Sequence, residues 1–208
     1  MIDLDAFDKE ILAAFFVASL SEDTVIEIIR KKLALDQEYI ETRIKYLAEN
    51  GFIETNKQNL TDLGRNALRV VLAGGVFDII HPGHIHTLRA AKDLGNVLVV
   101  VIATDKTAQK MKNRIPLHNM VLRRDLVRSL SMVDYAILGY EGDIFKSVEI
   151  IKPNIIALGY DQIHQEKFII DGCKKIGINA SIARLQSPIP DIKSSKIEND
   201  YGKSIYGI

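Results

Sequence analysis

Cysteine is nearly missing from this sequence: Cys173 stands alone among 208 residues. One thiol can form neither an intrachain disulfide nor a multi-cysteine metal site, so a reducing, cytoplasmic setting is expected. Long apolar runs are missing as well. The longest, Ile11 to Ala18, covers eight residues, and Val97 to Ala103 seven, whereas a membrane-spanning helix needs roughly 20. The first residues, Met1-Ile2-Asp3-Leu4-Asp5, are acidic and lack the basic start of a signal peptide. No low-complexity segment and no internal repeat can be found. No Gly-Lys-Ser/Thr follows Gly74-Gly75, so the turn there is not a Walker-type phosphate loop. What is there is ordinary for a folded protein: 47% apolar and 26% charged residues.

Net charge is zero but unevenly spread. Residues 1–66 hold 13 acidic and 8 basic side chains, a net of −5, leaving 14 against 19, or +5, for the remainder. A basic region that handles anionic substrates fits this split, and so does attraction between two domains.

The first 66 residues read as mostly helical. Leu4 to Ser19 forms one helix with Phe7, Ile11, Ala14 and Phe15 among its apolar positions. Ser21 is expected to cap a second, Glu22 to Leu33, and Asp36 a third, in which Ile40, Ile44 and Leu47 share a face. Gly51 supplies the left-handed residue that ends it. A short hairpin from Phe52 to Thr61 follows, and Thr61 opens a last short helix.

From Arg69 onward strands alternate with helices. Strands are expected at 70–73, 97–103, 135–139, 155–159 and 180–185, and helices at 81–93, 119–130, 144–151, 165–176 and 195–204. This pattern implies an α/β domain over residues 67–208, with a doubly wound, Rossmann-like, parallel five-stranded sheet covered on both faces.

Ligands of such sheets bind beyond the C-terminal strand ends. Gly74-Gly75-Val76-Phe77-Asp78-Ile79-Ile80-His81-Pro82-Gly83-His84 follows the first strand. Two glycines let backbone approach a ligand. Pro82 suits the first turn of a helix, whose free N–H groups attract phosphate. His81 and His84, three apart, can donate to one group of oxygens. Ala103-Thr104-Asp105 follows the second strand and leads into Lys106, Lys110, Lys112 and Arg114; Gly159-Tyr160-Asp161-Gln162 follows the fourth; Lys193-Ser194-Ser195-Lys196 opens the last helix. A zinc site from His81, His84 and His86 would lack any nearby carboxylate but Asp78, and no protein-held metal is expected. His118 and His164 earn no role, Asp134 is expected to be structural, and Cys173 reads as a small buried hydrophobe.

His-x-Gly-His after Gly-x-Phe-Asp resembles the signature of the cytidylyltransferase-like nucleotidyltransferase superfamily, and Ser194-Ser195 matches its C-terminal motif. Within it, residues 70–200 resemble the archaeal-type FAD synthases, through FDIIHPGHIHTLRAAKDLG, VIATDKTAQKMKNR, VDYAILG, IKPNIIALGYDQ and SSKI. The resemblance implies ATP and FMN as substrates, magnesium with the triphosphate, and attack by the acceptor's phosphate on the α-phosphate. It implies that His81 and His84 stabilise that phosphate, joined by Lys112. Gly75, Val76, Phe77, Lys110, Gly159, Asp161, Ser194 and Ser195 would hold the nucleotide. Asp78, Asp105 and Arg114 are placed near the acceptor. Two departures stand out. Val76 takes the place of a usual threonine. The stretch before Ser194-Ser195 lacks the arginine of the cytidylyltransferase branch, which favours ATP over CTP. A CTP-dependent enzyme acting on a polyol phosphate, and a flavin-sensing regulator, stay open beside this.

The front segment resembles a winged helix-turn-helix domain through LAENGFIET…LTDLGRNAL. Its third helix offers Gln37, Glu38, Glu41, Thr42, Lys45 and Glu49, too acidic a face to suit a phosphate backbone. A homodimer-forming or other protein-contact role is expected ahead of DNA binding.

Overall fold

A computed structural model describes residues 3–33, 35–54, 59–159, 165–186 and 197. The chain divides into two compact units, Met1–Arg69 and Val70–Ile208.

The first unit holds α1 (Ala6–Ala18), α2 (Val25–Lys32), α3 (Gln37–Glu49) and α4 (Asp62–Asn66). Side-chain oxygens open each helix. Asp5 and Thr24 form capping boxes with Asp8 and Glu27, Asp36 caps α3, and Thr61 caps α4. The second helix therefore starts at Thr24 rather than Ser21: only Thr24 has a glutamate three residues on whose carboxylate returns to its own N–H, at 2.8 Å. Gly51 takes φ +78° after α3, the left-handed geometry that lets the chain turn off the helix. An antiparallel bridge joins Ile53 to Leu60. Asp8 is fully buried, and Arg43 of α3 meets both of its oxygens, at 2.6 and 2.8 Å, so a buried charge is paired.

The second unit contains β1 (Val70–Gly75), α5 (Pro82–Lys92), β2 (Val97–Ile102), α6 (Asp105–Lys112), α7 (Met120–Arg128), β3 (Tyr135–Leu138), α8 (Ile144–Ile151), β4 (Ile155–Leu158), α9 (Glu166–Lys175) and β5 (Ser181–Arg184). All four strand pairings are parallel, in the order β3-β2-β1-β4-β5. The five-stranded parallel sheet expected from the sequence is borne out. β2 is buried at every residue, as two-sided coverage requires. Alternation sends Val71 and Ala73 of β1 to one face, where they join Leu88 and Ala91 of α5 and Val127 of α7. Leu72 and Gly74 go to the other, the side of α8 and α9. Asp134 accepts from Leu98 N and Lys92 Nζ, both at 2.6 Å, a structural role as expected. The chain runs outward from β1 to β3, then returns to β4 beside β1. This reversal places a crevice between the C-terminal ends of β1 and β4.

Candidate active site

The turn after β1 is shaped by a strained residue. Phe77 is non-glycine yet has φ +52°, a conformation that is uncommon for a bulky side chain and clusters at functional sites. Its buried ring lies 5.1 Å from the His84 ring. Gly75 makes room for it: a Cβ there would stand 2.8 Å from Phe77 Cε2. His81 is the N-cap of α5, but its side chain makes no cap bond, and Pro82 fills the first turn. The two imidazoles therefore come together, their centroids 3.9 Å apart. Each Nδ1 is buried without a hydrogen-bond partner among the described residues.

Both histidines are held neutral. Burial pushes His81 below the ordinary histidine value, and the Lys112 charge adds to the effect. Burial drives His84 down to about 4, with His81 and Lys112 pushing the same way against a hydrogen bond to the Ile79 backbone. At neutral pH each ring carries one N–H and can donate it. Because Lys112 is felt at both rings, it stands on their side of the site. Lys110 is exposed in the same last turn of α6.

Helix α6 is not among the helices expected from the sequence. Ala108 is its only buried residue, and Met111 is 54% exposed, so no apolar period marks it. The legible signals were local. Thr104 caps the helix through Thr107 N at 3.2 Å, and left-handed Asn113 ends it. This helix presents the two lysines.

Arg123 is the larger omission. It is fully buried and shares the inward stripe of α7 with Val127. Its guanidinium donates to Val76 O at 2.6 Å, Ala103 O at 2.8 Å, His118 O at 3.0 Å and Asp105 Oδ1 at 2.8 Å. One side chain thus ties together the segments after β1 and β2 and the approach to α7. An arginine at an apolar helix position was the available clue.

Asp78, Asp105 and Arg114, expected near the acceptor, are drawn into this framework. Asp78 is buried and accepts from Arg114 at 2.8 Å, Leu117 N at 3.1 Å and His118 N at 3.1 Å. Burial alone would raise its carboxyl, but these donors together hold it below the usual range. Asp78 clamps the 114–118 segment, and Asp105 holds Arg123. His118, given no role from sequence, is part of the same clamp.

A cavity of about 410 Å³ opens beyond the strand ends on the α8–α9 side, within the usual span of roughly 300–1,000 Å³ for small-ligand pockets. Gly74 and Gly75 of β1, Gly139 after β3, and Phe145 and Phe168 form parts of its wall. Gly172 lets the wall close, since a Cβ there would stand 1.8 Å from Phe145 Cζ. No signal in the sequence marks this cavity, because its walls come from residues that no short motif groups together. Val76 and Phe77 are buried and Gly159 half-buried at strand ends. Asp161, Ser194 and Ser195 lie outside the described residues.

A crevice at a topological switch point, with paired neutral histidines at a helix start and the Lys112 charge acting on both, defines a nucleotidyltransferase. The family model described as Cytidylyltransferase-like matches residues 72–199, and the chain belongs to that family. The chain is similar to the FAD synthase of Aciduliprofundum boonei, 49% identical over 116 residues, covering 56% of this chain and 77% of that one. It is similar to the FAD synthase of Picrophilus torridus, 47% identical over 125 residues, covering 60% and 89%. The crystal structure of the lipopolysaccharide core biosynthesis protein from Thermoplasma volcanium is 46% identical, with a TM-score of 0.55, over 58% of this chain and 98% of that one. No described helix is long and apolar enough to cross a membrane.

Proposed function

We infer that the chain is an FMN adenylyltransferase, which makes FAD and pyrophosphate from FMN and ATP. One observation carries this reading beyond the relatives' names: Gly74-Gly75 lines the apolar cavity and leads directly into the histidine turn. A ligand with an apolar ring and a terminal phosphate spans both. An oxygen of the FMN phosphate attacks the α-phosphorus of ATP. A new P–O bond forms, the bond to the α–β bridging oxygen breaks, and pyrophosphate leaves with that electron pair. The attacking phosphate is already ionised at neutral pH, so positioning and charge stabilisation suffice. His81 and His84 donate N–H to the α-phosphate oxygens as charge builds, and Lys112 adds a point charge.

On the nucleotide side, Gly75, Val76, Phe77 and Gly159 offer backbone, Lys110 meets phosphate, Ser194 and Ser195 hold the β- and γ-phosphates, and Asp161 meets the ribose or base. Among the described residues no group of three His, Cys, Asp or Glu could hold a metal. Magnesium bound with the triphosphate would supply positive charge to offset that of the leaving pyrophosphate. The Met1–Arg69 unit is read as a winged-helix module for contact with a second copy of the chain.

A pyrophosphate-release assay that crosses ATP and CTP with FMN and a polyol phosphate tests the reading. Turnover is expected with ATP and FMN. Turnover only with CTP and the polyol phosphate would overturn it.

A further inference from the structure

Arg123 distributes its hydrogen bonds unlike the chain's other arginines that meet a buried acid. Arg43 and Arg114 each reach the carboxylate of a buried aspartate, Asp8 and Asp78. Arg123 is itself fully buried, yet three of its four bonds go to backbone carbonyls, those of Val76, Ala103 and His118, and one to the half-buried Asp105. Two of these bonds bracket the strained residue. The Val76 carbonyl belongs to the peptide plane that enters Phe77, and it accepts from Arg123 at 2.6 Å. Beyond Phe77, the Asp78 carbonyl accepts from His118 Nδ1 at 3.2 Å, and His118 O is held by Arg123 Nε at 3.0 Å.

A peptide plane is rigid, so the direction of the Val76 carbonyl depends on ψ of Val76 and φ of Phe77. Phe77 stands at φ +52°, where a bulky residue is strained. Relaxation to a negative φ would swing that carbonyl away and leave a buried charged donor without its acceptor, a heavier loss than that of a neutral one. The Phe77 ring, buried and 5.1 Å from the His84 ring, moves with this turn. The bonds to Ala103 O and Asp105 meanwhile fix the start of α6, the helix that ends in Lys112. We propose that Arg123 is a positioning residue for the phosphate-transfer site: by holding the Val76 carbonyl it keeps Phe77 in its left-handed turn, and the Phe77 ring sets where His84 stands. The proposal rests on the reading of His81 and His84 as the groups that meet the transferred phosphate. Arg123 touches neither substrate; it acts through the backbone on the residues that do.

Arg123→Lys in the full chain tests this, because it keeps the charge but replaces a planar fork with a single nitrogen. It should lower kcat by roughly 10²-fold, the scale of an ångström-sized misplacement, with KM for ATP and FMN little changed. Burial is the main cause of the low His84 value of about 4. With the Phe77 ring displaced, His84 should therefore titrate higher, nearer the ordinary 6.5, as followed by NMR of the ring protons assigned with His84→Gln. Val127→Ala, one turn along the same buried stripe, is the control for lost packing: its melting temperature should fall while kcat and the His84 titration stay at wild-type values. Normal kcat in Arg123→Lys, or an unmoved His84 titration, would overturn the proposal. So would equal effects in Val127→Ala, since any loss of packing would then suffice. Arg123→Gln carries the same readouts where the lysine variant does not fold. Failure of both to fold would assign the arginine to the fold itself and overturn the positioning role. Wild type without turnover on ATP and FMN would overturn the FMN reading alone, because the ring titration needs no substrate and still judges Arg123.

Discussion

His84 sits where two demands of the proposed reaction meet. It must be close to phosphate, and it must not lose its neutral N–H to repulsion from its neighbours. Burial, His81 and Lys112 hold it at about 4, so the pair at neutral pH is two donors rather than two cations. His84→Gln should lower kcat by roughly 10²- to 10³-fold with KM little changed, as for other donors that act on the transition state. Steady-state kinetics on FMN and ATP checks this. The same residue predicts a pH effect on stability. Its folded value lies below the ordinary 6.5, so the unfolded chain binds the proton more readily. Stability is therefore lost as pH falls from about 6.5 towards 4. Between pH 7 and pH 5, wild type should lose about 2 kcal/mol more than His84→Gln, as measured by denaturant titration at both values. Equal losses would remove the histidine from this role. The histidine pair was legible in the sequence because its chemistry is compressed into four adjacent residues. Arg123 was not, because its partners Val76, Ala103 and His118 come together only when three loops fold.

At the scale of elements, α9 shows packing prevailing over propensity. Glycine inside a helix costs up to about 1 kcal/mol relative to alanine. Gly172 persists because the Phe145 ring occupies the space a Cβ would need. Gly172→Ala should gain that helix propensity but lose more through overpacking, typically about 1–3 kcal/mol, and should push Phe145 out of the cavity wall. The expected result is a lower melting temperature and a raised KM for FMN, with KM for ATP nearly unchanged. A more stable variant with normal FMN kinetics would show that the ring is free to move. The main strands and the helices that cover the sheet announced themselves by period and run length, as in Val97–Ile102. Helix α6 did not, since a helix with a single buried residue carries no apolar stripe. The second helix began three residues later than Ser21, because hydroxyls at both positions compete and only Thr24 has the reciprocal partner Glu27.

At the scale of the whole molecule, the two units differ in charge, −4 for residues 1–69 against +4 for the rest. The excess of positive charge belongs to the unit that faces a triphosphate. The front unit should leave duplex DNA unretarded at physiological salt, while sizing of the full chain should report a dimer. Salt-sensitive retardation by the full chain, abolished by substituting Lys31 and Lys32, would contradict that assignment. The class of fold was readable from the alternation of strands and helices, and the reaction type from one short turn. The cavity beyond the strand ends was not readable, for its walls draw on β1, β2, β4, α6, α8 and α9 together. The most direct test of the central claim follows a labelled atom. With ATP labelled on its α-phosphate, purified protein and FMN should move the label into FAD, while label on the γ-phosphate should leave in pyrophosphate. Label that never enters the flavin, or enters an acceptor only when CTP is the donor, would contradict the account.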